Sequence, residues 1–95
     1  MLQAGAMFGW LKTWTRHRRE IRHRWQSDAL MLAADQSRTS YYEAHRRAAA
    51  ARAHGDSDEF WHWTKVAAEI ARINPTAEMD TETLRQVVDH ELGKR

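Results

Sequence analysis

The chain has 95 residues, 42% of them hydrophobic and 29% charged, with no cysteine, one proline and four glycines. A chain of this size and composition forms one small domain with a thin core, without a disulfide framework, a thiolate metal site or a thiol nucleophile. The net charge of +2 hides a polarity: residues 1–54 carry ten Lys/Arg against four Asp/Glu, net +6, and residues 55–95 carry five against nine, net −4. Such asymmetry implies either an anionic partner for the first half or pairing between the halves.

Scarce Gly and Pro, and the lack of any alternating β-branched run, predict an all-α fold. The expected architecture is a single helical domain over residues 1–95 with three to four helices. A long basic amphipathic N-terminal helix leads into a helical hairpin and a short C-terminal helix.

Residues 1–6 read as a flexible extension, and the first helix spans 7–34. Met7, Leu11, Trp14, Ile21, Trp25, Ala29 and Leu32 recur at spacings of three, four or seven, with only Arg18 interrupting this seam. Between positions 12 and 24 lie Lys12, Arg16, Arg18, Arg19, Arg22 and Arg24 against one acid, Glu20, with Phe8, Trp10, Trp14 and Trp25 in and around the run. The apolar residues 1–11 precede these cations, opposite to the order in a secretory signal. No apolar run approaches the ~18–20 residues of a membrane span, so a cytoplasmic location is expected.

The Asp, Gln, Ser and Thr residues of 35–40 predict a turn. The hairpin then covers 39–73. Thr39 or Ser40 is the expected N-cap of its first helix, with Glu43 completing a capping box with Ser40. Tyr41, Ala44, Ala48 and Ala51 form the packing face, and Gly55 is the left-handed residue that ends the helix. Asp56 or Ser57 caps the next helix, where Asp58 and Glu59 suit the N-terminal end of the macrodipole. Phe60, Trp63, Val66, Ala67, Ile70 and Ile73 form its buried stripe, and Pro75 stops it by disfavouring helical geometry at Asn74. The last helix covers 80–92, with Leu84, Val87, Val88 and Leu92 inward.

Catalytic signals are weak. There is no Gly-rich phosphate loop and no nucleophile elbow, and short helices leave little room for a pocket of ~300 Å³ or more. No enzymatic activity and no cofactor are expected. Glu20-x-x-His23 and Glu59-x-x-His62 match the spacing that helical bundles use for paired metals. Each lies off a predicted buried stripe, however, and reads as a set of exposed ion-pairing residues, so no metal is expected. Ala51 and Gly55 have the spacing of a helix-turn-helix, but the would-be recognition helix starts Asp56-Ser57-Asp58-Glu59, which phosphate would repel.

The leading functional expectation is a non-enzymatic interaction module, a small adaptor, inhibitor or accessory subunit. Trp10, Trp14, Trp25 and Trp61 would anchor it, Trp61 because it projects away from Trp63, and Arg16, Arg19 and Arg22 would meet an acidic partner. The alternative is a nucleic-acid-binding protein contacting phosphates through Lys12, Arg16, Arg18, Arg19, Arg22 and Arg24. A third reading sinks Phe8, Trp10, Leu11 and Trp14 into an anionic membrane surface. The charge polarity also allows head-to-tail self-association.

Overall fold

A computed structural model describes the backbone of residues 2–93 and the side chains of residues 13–93. Four helices follow in order: α1 (Leu2–Asp35), α2 (Ser40–Ala53), α3 (Ser57–Ile73) and α4 (Thr81–Glu91). The all-α reading and the relative helix lengths stand. α1 starts earlier than expected, taking in residues 2–6 rather than leaving them as an extension. Ala4 and Ala6 are strong helix formers, and no proline stands ahead of the seam to stop the helix.

Local chemistry sets the ends of the later helices. Asp56 accepts a hydrogen bond from the Glu59 amide at 3.1 Å, and Asp80 accepts one from the Thr83 amide at 2.9 Å. These are side-chain N-caps that satisfy amides lacking an intrahelical partner. Gly55 has φ +73°, and its amide donates to the Arg52 carbonyl, closing α2. Asn74 is extended, as the residue before Pro75 must be.

The capping box expected at Ser40 does not form. Thr39 holds the N-cap position without a side-chain bond, and the Ser40 hydroxyl donates backwards to the Ser37 carbonyl at 3.0 Å. There it joins a buried polar cluster. Asn74 Nδ2 donates to the same carbonyl at 2.8 Å, and Asn74 Oδ1 accepts from the Thr76 hydroxyl at 2.7 Å. This cluster ties the α1–α2 turn to the α3–α4 loop, which explains why Ser40 and Asn74 are buried although polar.

The core consists of Ala29 and Leu32 from α1, Ala44 from α2, Val66, Ala67 and Ile70 from α3, and Ala77 from the loop. Trp25, Tyr41, Trp63 and Ile73 pack against it. Ala-rich contact faces let helix backbones approach closely, and Trp25 and Trp63 supply much of the apolar area that the alanines lack. α2 lies between α3 and α4 and is covered on two sides. That is why Tyr42 and Ala49 are buried as well as Ala44 and Ala48, beyond the single face expected. The Tyr42 hydroxyl accepts a hydrogen bond from the Asp80 amide at 2.7 Å, fixing the start of α4. Among the described residues α4 packs on α2 alone, so Leu84, Val87, Val88 and Leu92 are half-buried rather than fully inward.

α1 and α3 run parallel. Arg24 pairs with Glu59 and Asp28 with His62, sequence offsets of 35 and 34. In this register α3 begins beside residues 22–23 of α1, and the preceding part of α1 projects past it. At 1.5 Å per residue that arm is roughly 30 Å long. The molecule accordingly measures 60 × 29 × 18 Å, and its radius of gyration is 17.0 Å. A compact chain of this length would have a radius of gyration of about 12–13 Å.

Ion pairs join the two charge halves at Arg24–Glu59, Arg38–Glu78 and Arg46–Glu91. The Glu43 carboxylate accepts from Arg46 at 2.6 and 2.8 Å and from Arg47 at 2.9 Å. The hydrogen bonds from Arg46, followed by those from Arg47, hold Glu43 below the usual carboxylate range despite its partial burial. A carboxyl depressed in the folded state stabilises the fold fully above its unfolded pKa of ~4.3 and loses that contribution as pH falls through the folded value. The arginines are about 40% exposed, and solvent screening limits the contribution to about 1 kcal/mol. Urea midpoints measured from pH 7 down through the carboxylate range should fall for the wild type, and fall less steeply for Glu43→Gln. Parallel curves would remove Glu43 from the account.

Candidate functional site

The seam expected to run unbroken along α1 is covered only at its C-terminal end. Ala29 and Leu32 are buried and Trp25 is half-buried against the core, but Trp14 is 47% exposed and Ile21 49% exposed. The cause is the register: α3 starts too late in space to cover Trp14 or Ile21. Trp10 and Lys12, with Met7, Phe8 and Leu11, have side chains outside the described residues.

Where α1 begins to project, it and α3 bound a groove of about 560 Å³. One wall carries His17, Arg18, Ile21, Arg22, Arg24 and Trp25, and the other carries Asp58, Trp61, His62 and Lys65. Each set has the three- and four-residue spacing of a single helix face. The expected lack of room for a pocket does not hold on this face, because among the described residues α1 and α3 are clamped at one end of the groove only.

The clamp is polar. Arg24 donates to Glu59 at 2.7 Å, and Glu59 also accepts from the Trp63 indole at 3.2 Å. Arg24 holds Glu59 below the usual carboxylate range. Deeper in, His62 Nε2 donates to the Asp28 carboxylate at 2.7 Å, with the His62 side chain only 5% exposed. A carboxylate only accepts, so this contact puts the proton on Nε2. His62 stacks edge-on to Trp63 at 4.9 Å, and Arg47 lies over the Trp63 ring at 4.7 Å.

The expectation that Glu59 and His62 form an exposed ion-pairing set is therefore half right. Glu59 does bind a cation, but His62 is buried, because α1 packs alongside α3 and brings Asp28 to it. Glu20 and His23 are exposed. No group of three or more His, Asp or Glu suited to a metal occurs among the described residues.

The cations fall into three sets. Arg24 belongs to the clamp. Arg18 and Arg22 line the groove with Lys65, and Arg18 also lies 4.8 Å from the centre of the Trp14 ring. Arg16, Arg19 and His23 point to the opposite side. At about 100° per residue, Arg16 and Arg19 stand roughly 140–160° around α1 from Trp14. Trp14 and Trp25 therefore do not form one surface with Arg16 and Arg19, and the contact set expected from the sequence divides between two faces. Trp61, 59% exposed, belongs to the groove face, as do Ile21 and Lys65, which the sequence argument did not select as binding residues. Their signal was the continuation of the α1 seam and the three- and four-residue spacing of Asp58, Trp61 and Lys65. None of Arg16, Arg18, Arg19, Arg22 or Lys65 takes part in an ion pair among the described residues.

The fold and groove define a small all-α domain with a projecting cationic helix, and no helix among the described residues is long and apolar enough to cross a membrane. Comparison of the chain with protein-family models, curated proteins and solved structures returns no match.

Proposed function

We propose that this protein is a non-enzymatic interaction module, an adaptor, inhibitor or accessory subunit, that binds an acidic protein partner on its α1–α3 groove face. The observation carrying this reading is the exposure of Ile21 and Trp61 in one groove where, of the four Arg and Lys residues lining it, only Arg24 is paired to a carboxylate among the described residues, leaving Arg18, Arg22 and Lys65. Exposed aromatic and aliphatic groups ringed by charge are the composition of a binding hot spot, where the apolar anchors supply affinity and the charges select the partner. A cytoplasmic setting belongs to the same proposal.

A second reading is favoured by the opposite face. Arg16, Arg19 and His23 form an exposed stripe suited to a phosphate backbone, on which guanidinium groups act as bidentate donors. One pair of variants separates the two faces. Arg18→Glu/Arg22→Glu should abolish recovery of an acidic partner from lysate, whereas Arg16→Glu/Arg19→Glu should leave it within about twofold of wild type. Loss only in the second variant, together with a salt-sensitive duplex gel shift by wild type, would transfer the function to nucleic acid. Recovery unchanged in both variants, each with a wild-type circular dichroism spectrum, would overturn the acidic-partner proposal.

A further inference from the structure

Resting on that reading, we infer that the groove receives a single amphipathic α-helix of the partner, with apolar residues on the buried edge and carboxylates flanking them. The walls argue for a helix. Both are helix faces with three- and four-residue side-chain spacing, so their ridges and hollows accept a third helix by ridge-in-groove packing. An extended segment would need backbone partners, and the described residues contain no strand edge to supply them. A helix satisfies its own backbone and presents only side chains.

The lining argues for the pattern on that helix. Ile21, Trp25 and Trp61 offer apolar surface to an edge of large aliphatic residues. Arg18 and Arg22 on one wall and Lys65 on the other are the cations available to carboxylates on its flanks. Among the described residues Asp58 is the single acid of the lining, and it sits in the first turn of α3, where the macrodipole favours it.

Charge also excludes the nearest competitor, a second copy of this chain. An α1 helix brought into the groove would set Arg16, Arg18, Arg19 and Arg22 against Arg18, Arg22 and Lys65. The carboxylates that α4 could bring are already engaged, Glu82 and Asp89 by Arg85 and Glu91 by Arg46. Like-charge contact of this kind selects against self-pairing.

The test uses the full chain and a fluorescein-labelled peptide of about sixteen residues, long enough for several helical turns. Leu occupies its i, i+3, i+4 and i+7 positions, Glu the flanking ones and Ala the rest. Anisotropy titration at low ionic strength should give saturable binding, at least about tenfold weaker for Trp61→Ala and for Ile21→Asp. Both residues are exposed, so both variants should keep the wild-type melting temperature. A shuffled peptide of the same composition that binds equally well would overturn the helix inference and leave the acidic-partner reading standing. Equal binding by a Lys-flanked peptide would overturn the charge assignment and the inference with it. Failure of both acidic peptides to bind would overturn the inference and the reading beneath it. A stable homodimer by light scattering that the Leu/Glu peptide does not dissociate would assign the groove to a second copy.

Discussion

Replacing Ile70 with Ala should destabilise the fold by about 2–5 kcal/mol, the range for truncating a buried aliphatic side chain. Ile70 is fully buried, and the cluster around it is built largely from Ala29, Ala44, Ala67 and Ala77. Alanine has no rotamer with which to fill a void, and its Cβ is fixed to a helix backbone. The site therefore collapses poorly, and the cost should lie toward the upper part of that range. A domain of this size holds only about 5–15 kcal/mol in total, so one truncation removes a large share of it. Thermal unfolding followed by circular dichroism should move down by roughly 8 °C or more. A shift of less than about 2 °C would mean that Ile70 does not occupy the packed centre.

Asp28→Ala should cost about 1–3 kcal/mol and also weaken binding in the groove. The substitution leaves the buried His62 Nε2–H without its acceptor, and an unsatisfied buried donor incurs its full desolvation cost. It also removes the inner half of the clamp that sets α1 against α3, leaving the more exposed Arg24–Glu59 pair to hold the angle between the groove walls. Asp28→Asn keeps an acceptor oxygen and should recover much of the loss, which separates the hydrogen bond from the simple removal of side-chain volume. Urea unfolding measures the first effect, anisotropy titration with the Leu/Glu peptide measures the second, and amide exchange along α1 residues 25–32 reports the loosened clamp. Stability of Asp28→Ala within about 0.5 kcal/mol of wild type would remove His62–Asp28 from the forces that position α1.

The cationic, amphipathic character of the first helix is legible in the sequence, but residue type by itself does not show how its cations divide between faces. Arg16, Arg19 and Trp14 are all of residue types that make contacts, yet helical periodicity alone sets the two arginines on nearly the opposite side from Trp14. His62 was harder to judge. Its spacing from Glu59 suggested a shared exposed role, and only the approach of Asp28, 34 residues away, makes a buried histidine affordable. Ser40 and Glu43 have the spacing of a capping box, but Glu43 binds Arg46 and Arg47 instead. The Ser40 hydroxyl joins the Asn74 cluster, where Ser40 and Asn74 stand 34 residues apart in sequence.

The sequence by itself determined the helices and where the later ones end. An N-cap at Asp56 or Asp80, a positive φ at Gly55 and a proline after Asn74 act within one turn of the chain, and nothing distant competes with them. Tertiary structure alone decided how much of the α1 seam is covered and which arginines flank the uncovered part. That outcome depends on the parallel register of α1 and α3, which starts the shorter helix beside the middle of the longer one. Register is fixed by the joint packing of Trp25, Ala29, Leu32, Val66 and Ile70 and by the two polar contacts of the clamp. Each of these is a meeting of residues remote in sequence, whereas the apolar spacing along α1 is the same on the covered and uncovered stretches.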